Sequence, residues 1–104
     1  MRIDYANNKI EKICNDENYA RRYLPPKACG NLKTLLVRLA ATAHFDAFWK
    51  KPWLDKYHTE NLKGRKEGII SLRIDYTNRM ELIVEIKKDE DYIKILEVIG
   101  HYGD

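Results

Sequence analysis

Two cysteines among 104 residues leave little room for thiol or metal chemistry. Cys14 and Cys29 are too few for a zinc cluster, and no His or second Cys stands beside either at ligand spacing. They read as small buried hydrophobes in a reducing cytosol, and no metal or other cofactor is expected. Long hydrophobic runs are also lacking: nothing approaches the ~20 apolar residues that span a bilayer, and the opening Met1–Asn8 has no signal-peptide stretch. A cytoplasmic location is therefore expected. Proline is scarce, with three residues, so the doublet Pro25-Pro26 stands out as a boundary. No internal repeat or low-complexity segment is visible.

What is present describes one folded domain, residues 1–104. Apolar residues make up 44% and charged residues 34%, enough for a modest core under a heavily charged surface and too apolar for disorder. The net charge of +3 is unevenly placed. Between Lys50 and Arg79 eight Lys or Arg face four acids, which leaves the remainder slightly negative. An excess of this size by itself describes an ordinary solvated face more readily than a patch that concentrates polyanions such as nucleic acid.

Hydrophobic periodicity divides the chain into elements. Ile3 and Tyr5 mark a short first strand. Ile10, Ile13 and Cys14 recur at helical spacing, continued weakly by Tyr19 and Tyr23, which gives one helix or two short ones before Pro25. Pro26 suits the first turn of a second helix, Lys27 to Ala43, whose apolar stripe is Leu32, Leu35, Leu36, Leu39 and Ala43. The aromatic segment His44–Tyr57 has no clean period and reads as a packed cover for the core with a turn of helix near Asp46–Trp49. Trp49 and Trp53 are either packing residues there or a ligand-stacking pair. Alternation then predicts a hairpin, with Ile70, Leu72, Ile74 and Tyr76 on one side and Ser71, Arg73 and Asp75 on the other. After a turn at Thr77-Asn78, Met80, Leu82, Val84 and Ile86 return on the apolar side. A last strand, Tyr92–Ile99, is apolar on both faces, as expected well inside a sheet. The predicted class is α+β: β-α-α-β-β-β, a twisted, mainly antiparallel sheet with two helices on one face.

Leu62-Lys63-Gly64, then Gly68, then Ser71-Leu72-Arg73-Ile74, then Arg79, resembles the signature of the RelE/ParE toxin superfamily, most closely its HigB-like "killer protein" branch. The two-helix layout before it, including Arg21-Arg22, fits as well, so the resemblance covers nearly the whole chain. It implies the toxin of a type II toxin–antitoxin system: a metal-independent, ribosome-dependent mRNA endonuclease neutralised by a helix-turn-helix, HigA-like antitoxin. In that reaction the 2′-OH attacks the adjacent phosphate and the 5′-oxygen leaves, which asks for a base, an acid and fixed positive charge. The resemblance points to Arg73 as the phosphate grip, with a cross-strand ion pair to Glu81 or Glu85 as its structural alternative. Arg79 is the second cation, or else a surface charge at the turn.

The resemblance also assigns the tail. His101 and Tyr102 stand at the family's terminal imidazole and aromatic positions in reversed order. His101 is the proton-transfer candidate, since an imidazole with a pKa of about 6.5 works in both directions at neutral pH. Lys63, Arg65 and Lys66 are expected to steer the RNA or ribosomal RNA backbone, with His58 beside them as a substrate contact or a packing residue. Glu81 and Glu85 are expected to partner the arginines, with a general-base role as the alternative. Two further readings stay open: a ParE-like gyrase inhibitor that cuts nothing, and a decayed member that survives as an antitoxin-binding scaffold.

Overall fold

Asp16 decides how the first helical stretch is divided. Its backbone is extended (φ −128°, ψ 104°), its N–H closes α1 (Asn8–Asn15) onto the Lys12 carbonyl, and its carboxylate caps α2 (Glu17–Ala20) by accepting from Tyr19 N at 3.2 Å. Two short helices result. The computed structural model describes residues 1–100, with Ile99 described by its backbone alone. His101 and Tyr102 lie outside the described residues.

Pro25 and Pro26 open α3 (Pro26–Ala41) as expected, Pro26 being acceptable where an N–H would have no intrahelical partner. The buried stripe of α3 is Ala28, Cys29, Leu32, Leu35 and Leu39. Leu36 is only half-buried, and Ala43, predicted to extend the stripe, is exposed beyond the helix end. A 3-10 turn (Phe45–Trp49) and α4 (Trp53–Tyr57) follow on either side of a cis Lys51–Pro52 bond. Phe45, Phe48 and Tyr57 are buried, with Phe48 stacked on Phe45 at 5.3 Å and tilted against Trp53 at 4.6 Å between ring centroids. Trp49 and Trp53 pack against this core, the packing role of the two anticipated.

The sheet has five strands in the order β1-β5-β4-β3-β2, comprising β1 (Arg2–Tyr5), β2 (Glu60–Asn61), β3 (Ile70–Arg73), β4 (Arg79–Glu85) and β5 (Tyr92–Ile99). Only β1 runs parallel to its neighbour, pairing with β5 at the side opposite the hairpin. The α+β class with a mainly antiparallel sheet agrees with the sequence reading, while β2 was not anticipated, two residues being too short for periodicity to register.

One side of the sheet joins the helices in a single core: Leu72, Met80, Leu82, Ile93, Ile95 and Val98 against Ile10, Ile13, Leu32, Leu35 and Leu39. That β5 is apolar at both odd and even positions has a local cause. Glu81 opposes Glu97 and Leu82 opposes Ile95, so Leu96 has no partner and forms a bulge that switches the strand's phase. Ile93 and Ile95 before it and Val98 after it can then all face the helices.

Two alternation-based placements fail at strand ends. Tyr76 is 90% and Ile86 84% exposed, because β3 stops at Arg73 and β4 at Glu85, and beyond those residues the side-chain period no longer applies.

Candidate active site

The face of the sheet turned away from the helices is polar, and the strand register orders it. Directly opposed residues share a face. One row across β2, β3, β4 and β5 is therefore Glu60, Ser71, Glu81 and Glu97, and the next row across β3 and β4 is Arg73 and Arg79. Arg73, read from the sequence as mid-strand, is the last residue of β3, directly across from Arg79 at the start of β4. Like charges in this arrangement repel, and the surroundings of Arg79 show what offsets the repulsion.

Arg79 is not the surface charge that its position beside a turn suggested. Its side chain is 5% exposed. Nε donates to Ser71 Oγ at 2.6 Å, and a terminal nitrogen donates to the His58 carbonyl at 3.1 Å and meets Glu60 Oε1 at 3.1 Å. Three acceptors of this kind fix the guanidinium plane. His58 takes part through its backbone: it ends α4 in the left-handed conformation (φ 45°), which aims its carbonyl at Arg79 while its ring stays exposed. Arg73 differs in kind. Half-buried, it makes no ion pair among the described residues, and its guanidinium lies 5.7 Å from the centre of the Tyr76 ring. The expected alternative partners are occupied elsewhere: Glu81 is held by Lys66, and Glu85 by Lys87 at 3.0 Å.

The basic turn supplies Lys66 to this face. Gly64, which opens a 3-10 turn (Gly64–Lys66), and Gly68, two residues past its end, take positive φ (70° and 88°), a path that side-chain-bearing residues rarely follow. The turn folds Lys66 over the sheet, where Nζ contacts both oxygens of the buried Glu81 carboxylate at 2.9 and 3.2 Å. Lys66 thus neutralises a buried acid, whereas Lys63 and Arg65 stand exposed.

The hairpin turn fixes the two arginines relative to each other. Asp75 Oδ1 accepts from Thr77 N and Asn78 N, each at 2.9 Å, and from Asn78 Nδ2 at 2.7 Å. Burial alone would raise the Asp75 carboxyl, but these hydrogen bonds outweigh it and hold it below the ordinary carboxylate value. Asn31 of α3 ties the turn to the helical layer by donating to the Ile74 carbonyl at 3.2 Å. A Cβ on Gly100 would lie 3.2 Å from Asn78 Oδ1, so β5 ends beside this same turn.

Glu60 was missed. It stands two residues before Leu62-Lys63-Gly64, in a strand too short to show a period, and its acidic character there was the one available signal. It is also the half-exposed carboxylate of the row, oriented by Arg79. Glu97 shares the row and is exposed, with no hydrogen bond or ion pair among the described residues to orient it. Among the described residues, no three His, Cys, Asp or Glu side chains gather as a metal-holding group.

No protein-family model and no curated protein matches the chain. A solved structure does: the YoeB/ParE toxin from Agrobacterium tumefaciens superposes with a TM-score of 0.63 over 98% of this chain and 100% of the other, at 19% sequence identity. The chain has a RelE-like toxin fold. At that identity the likeness establishes architecture, and it reaches from end to end of both chains. The hairpin with its two arginines is thus part of a whole toxin-type fold.

Proposed function

We propose that this chain is the toxin of a toxin–antitoxin pair and that it cleaves single-stranded mRNA on the ribosome. The observation that carries the reading is the cross-strand pair of arginines on an otherwise acid-bearing face, one locked by three acceptors and the other with no ion pair among the described residues. Two guanidiniums held against their mutual repulsion suit a ligand that is itself doubly charged, as a phosphodiester becomes when a fifth oxygen closes on phosphorus. In this mechanism Arg73 grips the non-bridging oxygens, and Arg79 adds fixed charge behind it and orients Glu60. Glu60 removes the 2′-OH proton, the 2′-oxygen attacks phosphorus, and the bond from phosphorus to the 5′-oxygen breaks. His101 gives its proton to the departing oxygen, with Tyr102 beside it. The products are a 2′,3′-cyclic phosphate and a 5′-hydroxyl.

Lys63 and Arg65 would steer the RNA or ribosomal RNA backbone from the rim. His58 and Lys66 would line the same path. The finer placement in the HigB-like branch, with a HigA-like helix-turn-helix antitoxin as partner, rests on the spacing of Leu62-Lys63-Gly64, Arg73 and Arg79. A gyrase-directed activity is the competing reading, because the matched toxin's own name joins YoeB to ParE.

Primer extension on transcripts from cells expressing the chain separates the readings. Cuts inside reading frames, lost with Arg73→Ala and reduced more than tenfold with Glu60→Gln, are the expected result. The Arg73→Ala chain should keep its antitoxin binding. Growth arrest with DNA damage and no cuts would instead place the activity on gyrase, and no arrest at all would leave an antitoxin-binding scaffold.

A further inference from the structure

Tyr76 is an aromatic side chain that the fold does not use. At 90% exposure it is the most exposed large hydrophobic residue among those described, and it sits on the tip of the hairpin that carries the two arginines. The turn's geometry depends on Asp75 and Asn78. Asp75 collects three hydrogen bonds, Ile74 N and Asp75 N both donate to the Asn78 carbonyl, and Asn78 is buried. Tyr76 contributes nothing to that network, so a polar residue would serve the turn better. The result is a large ring on a rigid support, open to solvent, with the Arg73 guanidinium 5.7 Å from its centre.

We propose that Tyr76 is a stacking platform for a nucleobase of single-stranded RNA, one nucleotide along from the phosphate that Arg73 holds. The inference rests on the nuclease reading above and adds a base contact to its phosphate contacts. Three features favour a base over an apolar protein partner. The ring lies near the Arg73 guanidinium, and its chain neighbours Asp75 and Thr77 are polar. A base attached to a phosphate held by Arg73 emerges one sugar away, a span comparable with that between guanidinium and ring. Every base has a π-face, so stacking here holds the strand without reading its sequence.

The test uses the whole chain and a fluorescent single-stranded RNA with 2′-O-methyl groups throughout, which can bind but cannot cleave itself. By fluorescence anisotropy, Tyr76→Ala should bind about 5- to 150-fold more weakly than wild type, while Tyr76→Phe and Tyr76→Trp stay within about twofold. Replacing the stacked nucleotide by an abasic one should weaken the wild type by a similar factor and leave Tyr76→Ala unchanged. Tyr76→Gln, which keeps the tip polar, should copy Tyr76→Ala and guards against a folding artefact. Unchanged binding by Tyr76→Ala, with Arg73→Ala weakened, would sink the stacking role and leave the nuclease reading standing. Equal binding by wild type and Arg73→Ala, or none by either even with ribosomes present, would overturn both. A Tyr76→Ala chain that binds the oligonucleotide normally but no longer arrests growth would assign Tyr76 to a protein contact and overturn the inference.

Discussion

At the scale of single residues, the two arginines of the hairpin have the same chemistry and opposite duties. Arg79 is buried and fully engaged, so removing it strands the Ser71 hydroxyl and the His58 carbonyl. Glu60, half exposed, can turn to water, which keeps the penalty below that of breaking a fully buried ion pair. Arg79→Ala should therefore lower the unfolding free energy by about 2 kcal/mol in urea titrations. Arg79→Lys should restore only part of this, because an ammonium cannot reproduce the planar fork. Arg73→Ala, by contrast, should leave stability within about 0.5 kcal/mol, as expected at a half-buried position with no ion pair among the described residues. The sequence identified both arginines. It put Arg73 first but could not tell that Arg79 is buried, because what buries Arg79 is the register that sets Glu60 and Ser71 beside it.

At the scale of elements, the β3–β4 turn is a small machine for holding the arginines opposite each other. Its acceptor, Asp75 Oδ1, takes all three hydrogen bonds, so Asp75→Ala should cost about 1–2 kcal/mol and speed amide exchange at Thr77 and Asn78 before it affects the helices. The Thr77-Asn78 turn was legible from its residue types. The ends of the flanking strands were not, which is why Tyr76 and Ile86 were read as core and prove exposed. Alternation tells which face a strand residue occupies only as long as the ladder continues. The β5 bulge carries the same lesson, since an unpaired Leu96 leaves no mark in the sequence beyond apolar residues of both parities.

At the scale of the whole molecule, Asp91 joins parts of the chain that are far apart in sequence. Its carboxylate accepts from Phe45 N at 2.8 Å, Lys87 N at 3.0 Å and His44 Nδ1 at 3.2 Å. Its backbone bonds to the Ala43 carbonyl and to Arg2 N. Burial alone would raise this carboxyl, but the amides of Phe45 and Lys87 and the His44 ring hold it below its ordinary value. A folded-state value lowered from the unfolded ~3.9 stabilises the fold fully above about pH 5, and that contribution is lost as pH falls through the folded value. Acid denaturation followed by circular dichroism should therefore begin below about pH 4, with Asp75 acting in the same direction. Asp91→Asn should lower stability at pH 7 and flatten this acid limb, since an amide does not titrate. An unchanged acid limb would mean that other carboxylates carry it.

From the sequence alone came the class of the fold, the helix stripe of α3 with its proline start, the polar and apolar sides of the hairpin, and the basic turn at Leu62-Lys63-Gly64. All of these follow from local periodicity and from residues that restrict their own backbone. Tertiary structure alone decided that Glu60 pairs with Arg79, that Lys66 neutralises Glu81, that Arg79 is a buried strut beside a half-buried Arg73, and that Tyr76 stands in solvent. Each of these depends on which strand lies beside which and in what register. That pairing is set by the burial of the opposite face of the sheet, and the polar residues themselves do not encode it.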